Sequence, residues 1–354
     1  MSEDADHVAR SVDEGTLTRA TPEVENVDVT RDERHWFEDG NIILVASGSR
    51  RGFRVYRGLL TRASEDFVDL LSSPQLEAAE MLDDCPAVYL SDDADELSEL
   101  LGVVFDGPRY FGHCVPVKFS TVAAVIHLAQ KYRMEDLRFG ALDILRQHLH
   151  GHFEAWVAPE RVRDRMLFDI DPIVAVNLAY LTRDSVMLPT ALYLCCQLPV
   201  HILLRGNNQP GETLTTLDKM DLERCIDGKV RLAAEVANIP WTIATTGLDL
   251  SSCTAKGRCA SSLRVWAGNL MSVAEASCDA LAPCPLLAKV DIEQARAAAR
   301  GETMCCAACN DALRERELKE RRRIFERLTW YMDVPRVLGR LSCECVWMRS
   351  PSIR

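Results

Sequence analysis

The sequence predicts an α+β fold: a short β-sheet early in the chain, then helices to its end. Two observations carry this. Apolar and alternating runs of strand length are confined to residues 41–90. Apolar positions at helical spacing dominate the rest of the chain. Strands that precede helices, rather than alternate with them, argue for an α+β unit and against a parallel βαβ sheet.

Asn41 to Ala46 (NIILVA) reads as a strand, and SGSRRG after it as a turn. Phe53 to Arg57 alternates apolar and polar side chains, so the two runs form a hairpin. GLLTRASEDFVDLLSS holds two short helical pieces, with Ser64 placed to cap the second. Residues 74–86 read as a loop and Ala87 to Leu90 as a third strand. Asp93 stands three residues before Glu96, the start of a helix with Leu97, Leu100, Leu101, Val104 and Phe105 on one face. Gly107-Pro108 ends it, and 108–119 form a loop. Ser120 is placed to cap the next helix, with Val122, Val125, Ile126, Ala129 and Tyr132 inward. Glu135 to Leu149 comes next, with Gly151 as a stop.

Beyond residue 153 no further strand is predicted. Asp171-Pro172 is an N-cap followed by proline at the first helical position, and Pro189 opens another helix. Leu222 to Val236, Glu293 to Arg300 and Leu313 to Leu328 read as helices. Residues 245–285, rich in Ser, Cys, Gly and Pro, carry no clear period. Residues 1–35 are polar, acidic and aperiodic. They are expected to form a disordered tail, with order beginning near Trp36.

Composition narrows the function. The 354 residues carry 53 acidic and 41 basic side chains, a net charge of −12. That sign disfavours nucleic acid as a general partner. No run approaches the roughly 18 apolar residues of a membrane helix. The opening MSEDADHVAR has early acids and no apolar core, so no secretory signal is predicted. The expected compartment is intracellular, cytoplasmic or nuclear. The 14 cysteines are then reduced thiols that pack as small hydrophobes or bind metal.

Metal is the sharpest chemical candidate. Cys306-x2-Cys309 has the spacing of half a zinc site, and Cys305 adds a spare thiolate. Cys253-x5-Cys259 supplies the other half, with Cys278 and Cys284 as competing choices. The candidate ligands are therefore Cys253, Cys259, Cys306 and Cys309, against the alternative of incidental reduced cysteines. Cys343-x-Cys345 is too tightly spaced to rank with them. Cys195-Cys196 point to different helix faces, so core packing explains at least one. His148 and His152 share a face, but polar side chains at a helix C-terminus are ordinary.

No nucleophile elbow, phosphate loop or HExxH is present, and an enzyme is not predicted. Between Arg314 and Arg327 the chain has seven basic and four acidic side chains. Interleaving of that kind supports an exposed, ion-paired helix. Arg321-Arg322-Arg323 is its candidate nucleic-acid or nuclear-import patch.

Residues 36–152 resemble the BTB (POZ) domain. Asp39 opens NIILVA, then Phe53, Val55, Leu60, Ser64 and Phe67 follow in FRVYRGLLTRASEDF. Phe105-Asp106-Gly107 and HLAQKYRMEDLRFGALDIL match later landmarks. Tyr56 stands where the family has a histidine. HWFEDGNIILVA, MLPTALYLCCQ and the late Trp330…Pro335 also resemble a large fungal group of BTB-domain proteins. The resemblance implies a short β-sheet flanked by helical hairpins. The strands and helices of 36–152 already form a closed set with matched apolar faces, so this unit is expected to fold alone, followed by a helical, cysteine-containing region over 153–354. The resemblance further implies a protein-interaction adaptor that self-associates as a homodimer. Two other roles stay open: a substrate adaptor that binds a cullin, and a zinc-stabilised nucleic-acid-binding regulator.

Overall fold

The computed structural model describes residues 29–72, 80–107, 117–149, 151–206, 215–245, 251–255, 258–273, 277–299 and 305–335. The fold is α+β. Its five strands are β1 (Thr30–Trp36), β2 (Ile42–Ala46), β3 (Arg51–Val55), β4 (Met81–Leu82) and β5 (Cys85–Leu90). They lie in the order β1-β3-β2-β5-β4.

β2 and β3 form the antiparallel hairpin, pairing Ile42 with Val55 and Ala46 with Arg51. β5 runs parallel to β2 on its other side. β2 is therefore central and covered on both faces, which is why its sequence is an unbroken apolar run. Ile42 and Leu44 join the main core, while Ile43 and Val45 pack with Cys85 and Ala87 on the opposite face.

The expected tail of residues 1–35 is corrected at its end, because Thr30–Trp36 is a strand paired parallel to β3. Its hold is polar, so no apolar period announces it. Asp32 accepts from the backbone N–H groups of Arg34 and His35, both at 2.9 Å. The buried His35 ring bonds the Ser98 carbonyl at 2.9 Å through Nε2. Gly52 lets β1 approach, since a Cβ there would lie 2.5 Å from Val29 Cγ1. Residues 1–28 lie outside the described residues.

After the hairpin come α1 (Arg57–Ala63) and α2 (Glu65–Ser72). Ser64 joins them as its position suggests. Its Oγ accepts from the Phe67 N–H at 3.1 Å and donates to the Tyr132 carbonyl at 2.6 Å. Ser64→Ala removes a cap and a tie to a distant turn. Urea unfolding is expected to show a loss of about 1–2 kcal/mol. A change under about 0.3 kcal/mol would mean that water replaces both bonds.

α3 (Ala94–Asp106) begins at Asp93, whose carboxylate accepts from the N–H groups of Asp95 and Glu96. It ends at Gly107, whose φ of 56° suits a residue without a Cβ. α4 (Phe119–Lys131) and α5 (Glu135–His148) form a helical pair. The Ser120 cap is corrected: the flanking residue is Lys118, and Ser120 lies inside the helix. Phe119 is buried and meets Phe168 edge-on at 5.7 Å, which brings the helix start forward.

The rest is helical among the described residues. It comprises α6 (Phe153–Val157), α7 (Pro159–Phe168), α8 (Pro172–Leu181), α9 (Leu188–Gln197), α10 (Val200–Arg205), α11 (Lys219–Thr245), α12 (Arg258–Val273), α13 (Pro285–Ala298), α14 (Ala307–Phe325) and α15 (Leu328–Tyr331). Asp171 caps α8 through the N–H groups of Ile173 and Val174, with Pro172 inside the first turn. α11 outruns its expected span at both ends and contains Pro240.

Residue 152 does not divide the core. One apolar cluster runs from the sheet to Met332. Across that position His148 stacks on Phe168 with ring centroids 3.9 Å apart. Arg146 Nε also meets the buried Asp184 at 2.6 Å.

Candidate metal centre

Two helix starts and one short connection set this site. Cys253 lies in the stretch 251–255, and Cys259 in the first turn of α12. Cys306 occupies the position just before α14 and Cys309 lies within its first turn. Helix starts present backbone N–H groups and the positive end of the dipole, an environment that favours thiolates.

The four sulfurs converge, all within 4.8 Å of one another. Cys306 Sγ and Cys253 Sγ are 4.0 Å apart. The Cys306 N–H donates to Cys259 Sγ at 3.3 Å. Cys259, Cys306 and Cys309 are buried, and Cys253 is half-buried. Burial opposes ionisation of Cys306, but backbone N–H groups of Cys309 and Thr254 outweigh it and bring the thiol down to about 6. Burial pushes the Cys259 and Cys309 thiols up. One sulfur thus ionises readily while its neighbours resist, as expected where several negative charges would crowd together. A cation among them removes that conflict. The cluster could hold a metal ion.

Of the competing cysteines, Cys278 lies elsewhere. Its thiol donates to the Cys196 carbonyl at 2.9 Å. Cys284 is buried at the start of α13. Cys195 and Cys196 are both fully buried in α9. Cys305 is outside the foursome, and burial raises its thiol to about 12. Its backbone N–H donates to Gln294 Oε1 at 3.0 Å, which ties the loop before α14 to α13. The supporting roles of Thr254 and Gln294 have no signal in spacing. Cys343 and Cys345 lie outside the described residues. His148 is occupied by its stack on Phe168, and His152 precedes α6.

Each arginine of the run has a partner within the chain, Arg321 largely buried and the Arg322 pair exposed. Arg321 donates to the Leu281 carbonyl at 2.8 Å and meets Glu317 at 3.4 Å. Arg322 pairs with Glu154. Arg323 reaches Glu235 at 2.5 Å and Glu320 at 2.7 Å.

At the strand-to-helix corner, the Tyr56 hydroxyl donates to Asp39 Oδ1 at 2.6 Å. That bond raises the phenol above its ordinary value. Among the described residues no helix is long and apolar enough to cross a membrane. No family model, curated protein or solved structure matches the chain.

Proposed function

We propose that this chain is an intracellular protein-interaction protein with a self-associating BTB-like unit. Its helical region, in this reading, is stapled by zinc and binds a protein partner. The observation that carries the first half is the order of elements. A β2–β3 hairpin leads into the α1–α2 pair, then β5 lies parallel to β2, and α3 precedes the α4–α5 pair. A short sheet flanked by helical hairpins is what the sequence resemblance implies.

Support for zinc comes from the donor set. Four sulfurs with no oxygen donor suit a closed structural site. Tetrahedral zinc with bonds of about 2.3 Å would separate its sulfurs by about 3.8 Å. The 4.0 Å between Cys253 and Cys306 is close to that edge.

Self-association is tested by light scattering of the full chain across a range of concentrations. The expected mass approaches twice 39.6 kDa as concentration rises. A constant monomer mass would overturn the self-association reading. Affinity capture of the full chain with mass spectrometry then addresses the partner. A cullin among specific partners would favour the ligase-adaptor role over a general adaptor.

A further inference from the structure

The metal cluster is asymmetric. Three of its sulfurs are held in or at the first turn of a helix and are at most 5% exposed. Cys253 differs on both counts: it is half-buried and lies outside any helix. Its sulfur lies 4.0 Å from that of Cys306, in a cluster whose four sulfurs are all within 4.8 Å of one another. A disulfide needs about 2.05 Å, so one sulfur must move by about 2 Å. Rotation of a cysteine side chain supplies that movement, and Cys253, the most exposed of the four, is the one a dissolved oxidant reaches first.

We infer that Cys253 and Cys306 form an oxidation site through which peroxide releases the metal, an inference that rests on the zinc reading above. The Cys253 thiolate attacks one oxygen of hydrogen peroxide. The O–O bond breaks, leaving a sulfenic acid on Cys253 and a hydroxide that takes up a proton. The Cys306 thiolate then attacks the sulfenic sulfur. The S–S bond forms, the S–O bond breaks, and the departing hydroxide is protonated to water. Two thiolates, one peroxide and two protons give one disulfide and two waters. Both electrons lost by the sulfurs go to the peroxide. Cys259 and Cys309 alone leave zinc two ligands short of a closed site.

The test uses the full chain, purified without a metal-binding tag, with zinc measured first. A chain that holds no zinc overturns the zinc reading and this inference together. On a chain that holds zinc, hydrogen peroxide is added. Release is followed with a chromophoric chelator while disulfides are mapped by peptide mass spectrometry. The expected result is one zinc released per Cys253–Cys306 disulfide, reversed by a thiol reductant with added zinc. Release accompanied by a Cys306–Cys309 or Cys259-containing disulfide overturns the inference alone. So does retention of zinc at a peroxide dose that oxidises Cys278. Cys278→Ser, outside the cluster, should release zinc at the unaltered rate, and release slowed about tenfold in that variant would place the entry point at Cys278 instead.

Discussion

Leu101→Asp is expected to leave no soluble native protein. Leu101 is fully buried in α3, where Leu97 and Leu100 on the same helix are fully buried too. The helix lies against α1, α4 and β1, so no face of that side chain meets water. Losing the leucine contacts costs about 2–5 kcal/mol. The aspartate must then stay protonated or draw water into the core, which adds a penalty of similar size. Together these approach the whole stability of an ordinary domain, about 5–15 kcal/mol. Leu101→Ala separates the two effects. It should fold, with urea unfolding shifted by about 2–5 kcal/mol. Soluble, native-like Leu101→Asp protein with an unchanged melting curve would mean that this face is open to solvent.

Removing the metal should have the second largest effect. The cluster joins Cys253 and Cys259 to Cys306 and Cys309, about fifty residues further along the chain. An unfolded chain offers no preformed site, so binding energy on the order of 10 kcal/mol becomes folding energy for this end of the molecule. A strong chelator should therefore strip hydrogen-exchange protection from α12 and the first turns of α14, while β2 and α3 keep theirs. Cys306→Ser should reproduce the pattern, because a hydroxyl is a far poorer zinc ligand than a thiolate. Cys195→Ser should leave metal content unchanged, since that thiol is buried in α9 away from the cluster. Less than about a tenth of an equivalent of zinc in tag-free protein, with the four thiols reactive, would sink the metal reading.

What could be read from the residues alone divides along physical lines. The hairpin and the caps at Asp93 and Asp171 are local events, fixed by strand period and by a carboxylate near free N–H groups. They are legible because neighbours in sequence decide them. β1 is not, because its anchors, Asp32 and His35, are polar and one of their bonds runs to Ser98, far along the chain. α12 hides for another reason. Its buried Cys259, Leu263, Trp266 and Ala267 do fall at helical spacing, but serines, arginines and a nearby glycine dilute the pattern. The Cys306/Cys309 half of the cluster shows itself by spacing. Preference for Cys253 and Cys259 over Cys278 and Cys284 depends on how α12 and α14 pack, which no spacing contains.

The stacking of His148 on Phe168 and the pairing of Arg146 with Asp184 bear on inheritance. A recombination event that transplanted residues 29–152 into another gene would carry half of each contact and leave the other half behind. The sheet-bearing part can therefore diversify only in step with α7 and the turn that follows α8. Changes at positions 119, 146 and 148 should appear in related chains together with changes at 168 and 184.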